Sequence, residues 1–176
     1  NNATETTDNT ATIETSRGCK HHCNYCSIKK MYTKPYREYP LERVIEDIKN
    51  ISIHMKEVNR IFIIDDNITT NPERFEKLCD MIIENKLDTY RFVCQCSCIG
   101  LASSESLVKK MSQAGFDIVF IGIENSEPKN LKYLGKGNII NSTVIACQYL
   151  RKYKIKIYGG MMIGCPDDTK ESIKNT

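Results

Sequence analysis

Apolar residues along the chain follow two spacings, which alternate in order. Short runs rich in β-branched and aromatic residues predict strands, and segments with apolar residues three or four positions apart predict helices. The predicted strands cover residues 11–15, 60–64, 90–99, 117–123 and 155–163. The predicted helices cover residues 41–51, 72–82, 104–114 and 140–153, and a fifth begins near residue 168. Strict alternation of this kind predicts five βα units, with a parallel sheet and helices outside it.

We therefore expect an α/β fold, a partial parallel (β/α)6 barrel of the TIM type that lacks its last unit. Parallel barrels place their chemistry at the carboxyl ends of the strands. A cysteine-containing loop follows the first predicted strand, and Asp65 and Asp66 follow the second. Glu124 follows the fourth strand and Gly164 the fifth. Four marked strand ends on one rim indicate a functional site there.

The third predicted strand carries an unusual alternation. Cys94, Cys96 and Cys98 occupy alternate positions, with Gln95 and Ser97 between them. Strand geometry predicts the three cysteines on one face and the polar pair on the other. A three-thiolate metal face is conceivable, but small apolar cysteines packing against helices is the favoured interpretation. Gln95 and Ser97 would then point into the barrel as substrate-facing candidates.

Four further local predictions can be tested by the structure. Ser16–Gly18 is predicted to break the first strand, and residues 125–138 are predicted to be irregular. Asp168 and Glu171 form a predicted capping pair for the fifth helix. The fourth helix is predicted to bury Ile140, Val144, Cys147 and Leu150.

The composition indicates an ordinary globular protein. The chain has 176 residues, 40% hydrophobic and 27% charged, with a net charge of +3, enough for one domain with an apolar core. The weak charge, without dense lysine and arginine runs, predicts no nucleic-acid patch, and no apolar stretch reaches membrane-spanning length. Nine cysteines without a secretory segment predict the cytoplasm, a reducing compartment where cysteines serve as ligands or core residues.

The predicted domain organisation is simple. Residues 1–10 are polar, aperiodic and rich in Thr and Asn, which predicts a disordered lead-in or interdomain linker. Residues 11–176 are predicted to form the core domain. Because the chain begins with Asn1 and ends at Thr176 just as a helix starts, we expect a piece of a larger protein, truncated at its C-terminus.

The strongest chemical signal is a short loop with Cys19, Cys23 and Cys26 at the spacing C-x3-C-x2-C. Three thiolates on one tight loop can face one inorganic centre. A cubane iron–sulfur cluster that only carries electrons normally has four cysteine ligands. Three ligands leave one iron free, just as catalytic metal sites keep one position open. Tyr25 adds a flat aromatic face beside this centre.

Two other interpretations of this loop stay open. Zinc accepts mixed cysteine and histidine ligands, so the three cysteines with His21 or His22 would form a zinc-binding interaction module. A chance grouping in a cysteine-rich chain is the other interpretation. A colourless protein with stoichiometric zinc would support the module, whereas a brown, oxygen-labile protein would support the cluster.

The cysteine spacing, with an aromatic residue just before the third cysteine, resembles the radical S-adenosylmethionine (SAM) superfamily. The resemblance implies a 4Fe–4S cluster on Cys19, Cys23 and Cys26, whose free iron is chelated by SAM. It implies that an electron from the cluster cleaves SAM to a 5′-deoxyadenosyl radical, which abstracts hydrogen from a substrate. It also implies the partial barrel of the radical SAM type. The cofactors carry this chemistry, while the protein positions them and excludes water.

The strand-end residues resemble further elements of the same superfamily. Asp65 and Asp66 stand where an acidic element receives the amino group of SAM, a pairing that charge-assisted hydrogen bonds favour. Glu124 resembles a carboxylate that reaches the ribose hydroxyls or the methionine moiety. A run with Met162 in the usual Ile position resembles the fifth-strand element that approaches adenine. The implied cofactor-binding residues are Tyr25, Asp65, Asp66, Glu124, Gly160, Met162 and Gly164.

One branch of the superfamily fits more closely. Residues 15–19, 64–67 and 119–124 resemble the cobalamin-binding radical SAM enzymes, which include hopanoid methylases, and the similarity covers about residues 11–172. It implies a cobalamin-dependent methyltransferase in the full-length protein, with cobalamin bound by an upstream domain and not by this segment. The implied partners are a small-molecule or lipid substrate and a reductant such as ferredoxin or flavodoxin.

A second enzymatic alternative shares much of this core. The same motifs also resemble those of the tRNA methylthiotransferases. An RNA-binding domain after the core in the full-length protein would favour this alternative. An upstream cobalamin domain would favour the methyltransferase. The sequence names no substrate.

Overall fold

The computed structural model describes residues 9–32 and 36–175. Its strands are β1 (Thr10–Ile13), β2 (Ser16–Gly18), β3 (Tyr36–Glu38), β4 (Arg60–Ile63), β5 (Arg91–Cys96), β6 (Phe116–Glu124) and β7 (Lys156–Met161). Its helices are α1 (Ile28–Met31), α2 (Leu41–His54), α3 (Pro72–Glu84), α4 (Cys98–Ala102), α5 (Glu105–Gln113), α6 (Pro128–Tyr133), α7 (Ile140–Lys152) and α8 (Lys170–Asn175), with a 3-10 turn at Ile68–Thr70. The lead-in predicted over residues 1–10 lies outside the described residues, apart from its last two positions.

Five strands form one parallel sheet in the order β1-β4-β5-β6-β7. The order follows the sequence because each helical connection returns the chain to the next position in the sheet. Within the described residues β1 and β7 lie at the two edges, so the sheet is an open, partial barrel. The α/β fold and the five strands in alternation with helices are thereby confirmed.

The core lies between one face of this sheet and the helices. Phe116 stacks on Phe92 and meets Phe75 edge-on, with centroid distances of 5.1 Å in both pairs. Three of the predicted helices bury apolar residues that recur three or four positions apart, the spacing on which their prediction rests. These are Leu41, Val44, Ile45, Ile48 and Ile51 of α2, Phe75, Leu78, Cys79 and Ile82 of α3, and Leu107, Val108 and Met111 of α5.

The opposite face of the sheet carries an aromatic row. Phe120 of β6 lies between Gln95 on β5 and Tyr158 on β7 in the strand register. Its ring stacks on Tyr158 at 5.1 Å and is tilted against Phe62 of β4 at 6.3 Å. Phe120 and Tyr158 are 42% and 54% exposed. The inner face of the partial barrel is therefore apolar and accessible.

Ser16–Gly18, predicted to break the first strand, instead forms β2. It pairs antiparallel with β3, and Gly18 lies opposite Tyr36. Three residues are too few to show a period, and their pairing partner lies 20 positions later in the chain. The sequence pattern therefore gives no sign of this small sheet.

The third strand is shorter than predicted. β5 ends at Cys96, and the Ser97 hydroxyl accepts a hydrogen bond from the Gly100 backbone N–H, which caps α4. Cys98 therefore lies on a helix and not on the strand face with Cys94 and Cys96. An N-cap serine ends the strand because its side chain satisfies a free backbone donor of the helix.

Two helical predictions also require correction. The segment 125–138, predicted to be irregular, contains α6, which starts with Pro128 at a position where proline favours a helix. In α7, Leu150 is buried as predicted, but Ala146 is the other buried residue and Val144 is exposed. Since α7 packs against α4 as well as the sheet, its inner face is set by that neighbour and not by the largest apolar residues.

The predicted cap of the last helix is replaced by another pair. At the start of α8 the Thr169 hydroxyl accepts the Ser172 backbone N–H, and the Ser172 hydroxyl accepts the Thr169 backbone N–H. Asp168 instead accepts hydrogen bonds from the backbone N–H groups of Gly164 and Cys165. Asp168 therefore fixes the turn after β7, and Glu171 is not needed for the cap.

A buried carboxylate joins the end of β4 to the end of β1. Asp65 is fully buried. Its Oδ1 accepts the Thr15 backbone N–H at 2.7 Å, and its Oδ2 accepts the hydroxyls of Thr15 at 2.6 Å and Ser16. Burial raises the pKa of Asp65, and these hydrogen bonds act in the opposite direction. The contact holds the segment that leads into the cysteine loop.

We expect Asp65→Ala to lower the free energy of unfolding by about 2–4 kcal/mol, because it leaves several buried donors without an acceptor and each costs about 1–3 kcal/mol. Asp88→Ala, at an exposed side chain, is the control and should stay within about 0.5 kcal/mol of wild type. Urea unfolding followed by circular dichroism measures both. Equal stability of the two variants would contradict this role.

Candidate functional site

The three motif cysteines lie on the loop between β2 and α1. Cys19, Cys23 and Cys26 are free thiols, each partly exposed. Gly18, just before them, has a left-handed backbone with φ of 90°, and its N–H donates to Asp66 Oδ2 at 2.8 Å. This conformation is unfavourable for a residue with a Cβ, so glycine at this position permits the turn into the loop.

A second segment supports the cysteine loop from the other side. The Asn24 backbone N–H donates to the Leu134 carbonyl at 3.0 Å, and the Asn24 side-chain amide donates to the Tyr133 carbonyl at 2.5 Å. Gly135 follows with φ of 72°, and a Cβ there would lie 3.0 Å from the His22 carbonyl oxygen. Glycine therefore permits this turn to approach the cysteine loop closely.

These elements enclose a cavity of about 360 Å³ at the carboxyl end of the sheet. Most of the residues named from the sequence line it. They are Cys19, Cys23, Cys26, Tyr25, Asp66, Gln95, Ser97, Glu124 and Gly160. Because the strands are parallel, their carboxyl ends meet at one rim, and residues far apart in sequence share one site.

Glu124 is the best-anchored acidic group in the cavity. It is 6% exposed and has φ of 67°, which is uncommon for a residue other than glycine. The register of β6 against β7 shifts between Gly122 and Glu124, and such a bulge redirects a side chain. The Met162 backbone N–H donates to the Glu124 carbonyl at 2.6 Å and holds this conformation.

Two groups converge on the same Glu124 oxygen. The Tyr25 hydroxyl donates to Oε1 at 2.8 Å, and the Lys136 ammonium lies 3.0 Å from it. Burial and the hydrogen bond to Glu124 raise the pKa of Tyr25 well above its usual range, so it stays protonated. A Cβ on Gly122 would clash with this carboxylate. The cluster joins the cysteine loop, β6 and the turn after α6.

Three residues named from the sequence do not line the cavity. Asp65 is fully buried outside the cavity, where its carboxylate accepts hydrogen bonds from Thr15 and Ser16. Met162 acts through its backbone, as described for Glu124. Gly164 has φ of 93° and donates its N–H to Asp168 at 2.7 Å. Of the adjacent carboxylates, Asp66 is therefore the one that faces the cavity.

The cavity residues that sequence reasoning missed include Asn67 and Lys136. Asn67 directly follows the two aspartates, and Lys136 stands between two glycines with left-handed backbones. Both residues lie within the segment that resembles the superfamily. Their position next to residues of its motifs was the one feature of the sequence that could have identified them. Neither residue type is diagnostic alone, because lysine and asparagine are common at protein surfaces.

The other cysteines of β5 and α4 are buried, and Cys96 and Cys98 also contribute to the wall of the cavity. Cys94, Cys96 and Cys98 are buried, with 3.6 Å between the sulfurs of Cys94 and Cys96. Cys98 lies 3.7 Å from the Gly122 carbonyl. Burial raises the pKa of the Cys94 and Cys98 thiols, which favours their neutral form. A neutral buried thiol behaves as a small apolar group.

Within the described part of the chain, no group of three His, Cys, Asp or Glu side chains is arranged to share a single metal ion. His21 lines the cavity, and burial followed by the Lys136 charge lowers its pKa. No helix among the described residues is long and apolar enough to cross a membrane.

Fold and site together define a partial parallel barrel whose cofactor-sized cavity is rimmed by three free cysteines. The profile of the Radical SAM superfamily matches residues 13–176. The chain belongs to that superfamily. The membership that the cysteine motif implied is therefore confirmed.

Two relatives are named as a methyltransferase and a methylase. The chain is 29% identical to an uncharacterized methyltransferase of Pyrococcus horikoshii, over 93% of the chain and 35% of the relative. It is 26% identical to the hopanoid C-2 methylase of Rhodopseudomonas palustris, over 91% of the chain and 31% of the relative. The chain thus spans about a third of the length of these relatives.

A solved structure shares the fold. The radical SAM methyltransferase TsrM of Kitasatospora setae, with cobalamin and a [4Fe-4S] cluster bound, superposes with a TM-score of 0.82. It is 17% identical, over 94% of this chain and 33% of that chain.

We expect Cys94→Ala combined with Cys96→Ala to lower the free energy of unfolding by about 1 kcal/mol per side chain, because each change removes buried volume and leaves a cavity. Bound iron should be unchanged after anaerobic reconstitution. Cys165→Ala, at a partly exposed cysteine outside the cavity, should alter neither property. Loss of iron from the double variant would instead reveal ligands on β5.

Proposed function

We propose that this chain is the catalytic core of a cobalamin-dependent radical SAM methyltransferase. In this proposal Cys19, Cys23 and Cys26 hold a 4Fe–4S cluster, and the cavity beside them holds SAM. The observation that carries the proposal is that three free cysteines and an acidic rim line one cavity.

The cysteine loop fits a cluster better than a single ion. Two sulfurs on one tetrahedral zinc would lie about 3.8 Å apart, since Zn–S bonds are about 2.3 Å, and no three-residue group of this kind is found among the described residues. A cubane distributes its thiolates over different irons and needs wider spacing. We therefore favour the cluster over the zinc-binding interaction module. When bound, the cluster and SAM supply one-electron cleavage to a 5′-deoxyadenosyl radical.

The charges in the cavity match the charged groups of SAM. Asp66 offers a carboxylate to the amino group, and Lys136 offers an ammonium to the carboxylate, both by charge-assisted hydrogen bonds. Glu124 and Tyr25 lie together where hydroxyl groups of a nucleoside can be bound. Gly160 presents no side chain to the cavity, which leaves room for a flat base. The volume of about 360 Å³ lies in the range of small-molecule sites.

The methyltransferase assignment rests on the relatives. Two curated relatives are named as a methyltransferase and a methylase, and a solved structure with the same fold has cobalamin bound. We place cobalamin on an upstream domain of the full-length protein and not on this segment. The apolar inner face around Phe120 and Tyr158 suits a small-molecule or lipid substrate. A reductant such as ferredoxin or flavodoxin and a cytoplasmic location suit an oxygen-sensitive cluster.

We expect Cys19→Ala, Cys23→Ala and Cys26→Ala each to abolish cluster binding after anaerobic reconstitution, because a cubane with two protein ligands is poorly held. Iron analysis and the visible absorption of the cluster measure the loss. Cys165→Ala is the matched control and should retain full iron. If all three variants keep wild-type iron, the proposed ligand set is wrong.

We expect Asp66→Asn to weaken SAM binding by about tenfold to a hundredfold, because it removes a charge-assisted hydrogen bond of about 1.5–3 kcal/mol. Since Asp66 also holds the Gly18 N–H, iron content is measured first to show that the cysteine loop is intact. Calorimetric titration of the reconstituted protein then gives the affinity. Asp88→Asn is the control, and unchanged affinity in Asp66→Asn would remove Asp66 from the SAM site.

A further inference from the structure

The Asn67 side chain contacts Cys19, one of the three motif cysteines. Asn67 follows the two aspartates after β4 and is 5% exposed. Its side-chain nitrogen Nδ2 lies 3.9 Å from Cys19 Sγ, within reach of an N–H···S hydrogen bond.

A hydrogen-bond chain determines which end of the Asn67 amide faces the sulfur. Asn67 Oδ1 accepts the Thr69 hydroxyl at 2.7 Å. Thr69 Oγ1 in turn accepts the Ser97 backbone N–H at 2.8 Å and lies 3.1 Å from the Ser97 hydroxyl. In this arrangement Thr69 donates its one proton to Asn67 Oδ1, and the NH2 group of the same amide faces Cys19.

The support for this chain is rigid. Ser97 caps α4 by accepting the Gly100 N–H at 3.1 Å, so its hydroxyl proton is free to point to Thr69. A Cβ on Gly100 would lie 2.4 Å from Thr69 Cβ, so glycine allows α4 to pack directly on Thr69. Ser97 is therefore occupied by this network, although it also lines the cavity.

We propose that Asn67 is a positioning residue that holds Cys19 and raises the reduction potential of the cluster through an N–H···S hydrogen bond. The inference rests on the proposed function, because it requires that Cys19 is a cluster ligand. Reduction places additional negative charge on the cluster and its sulfur ligands. A donor at the sulfur stabilises the reduced form more than the oxidised form, and hydrogen bonds to the sulfurs are known determinants of cluster potentials.

The test is a redox titration of the anaerobically reconstituted protein followed by electron paramagnetic resonance. Asn67→Leu removes the donor and should disfavour reduction by about tenfold, or about 59 mV for a one-electron couple. Thr69→Val removes the hydroxyl that orients the Asn67 amide, so it should also lower the reduction potential, by less than Asn67→Leu does. Thr70→Val is the matched control, because the buried Thr70 hydroxyl has no hydrogen-bond partner, and its potential should equal wild type.

Iron content distinguishes a failure of the proposed function from a failure of the role of Asn67. Absence of a cluster in the wild-type protein would refute the proposed function. A wild-type potential in Asn67→Leu with full iron would overturn the role of Asn67 alone. If Asn67→Leu does not retain iron, Thr69→Val decides, since a potential equal to that of Thr70→Val would overturn the inference.

Discussion

The site depends on the hydrogen bonds of two adjacent carboxyl groups that point in opposite directions. Asp65 points into the interior and holds Thr15 and Ser16, and Asp66 points to the rim and holds the Gly18 N–H. Together they attach the end of β1 and the start of the cysteine loop to the end of β4. A buried carboxylate is stable only when hydrogen bonds replace its water. These bonds therefore fix one end of the loop, and the contacts of Asn24 with the turn after α6 support its other side.

The remaining rim residues are anchored in a similar way by backbone geometry. Glu124 reaches the cavity because a register shift in β6 and a left-handed backbone redirect it, and Met162 fixes its carbonyl. Tyr25 and Lys136 then meet on its carboxylate. Three separate segments thus share one buried acidic group, which gives the cavity a defined shape and a defined distribution of charge.

The sequence predicts those parts of the fold in which apolar residues repeat at a regular spacing. The buried faces of α2, α3 and α5 follow helical spacing because apolar burial decides which side of an isolated helix faces the core. The inner face of α7 could not be predicted, because its contact with α4 favours Ala146 over Val144. For Asp65 and Asp66 the residue type indicated function, but which of them faces the cavity depends on Thr15 and Ser16, about 50 positions earlier. Cys98 left its predicted strand because Ser97 caps a helix, a local interaction that outweighs alternation.

The hydrogen bonds between Asn24 and the turn after α6 have a thermodynamic consequence. They connect the loop that carries the cysteines to the segment that carries Lys136. If both ligands bind as proposed, ordering either segment also orders the other, so the entropy of ordering is lost once and not twice. Cluster assembly and SAM capture would then be cooperative. Linkage requires the effect to be reciprocal, so that each ligand strengthens the binding of the other by the same factor.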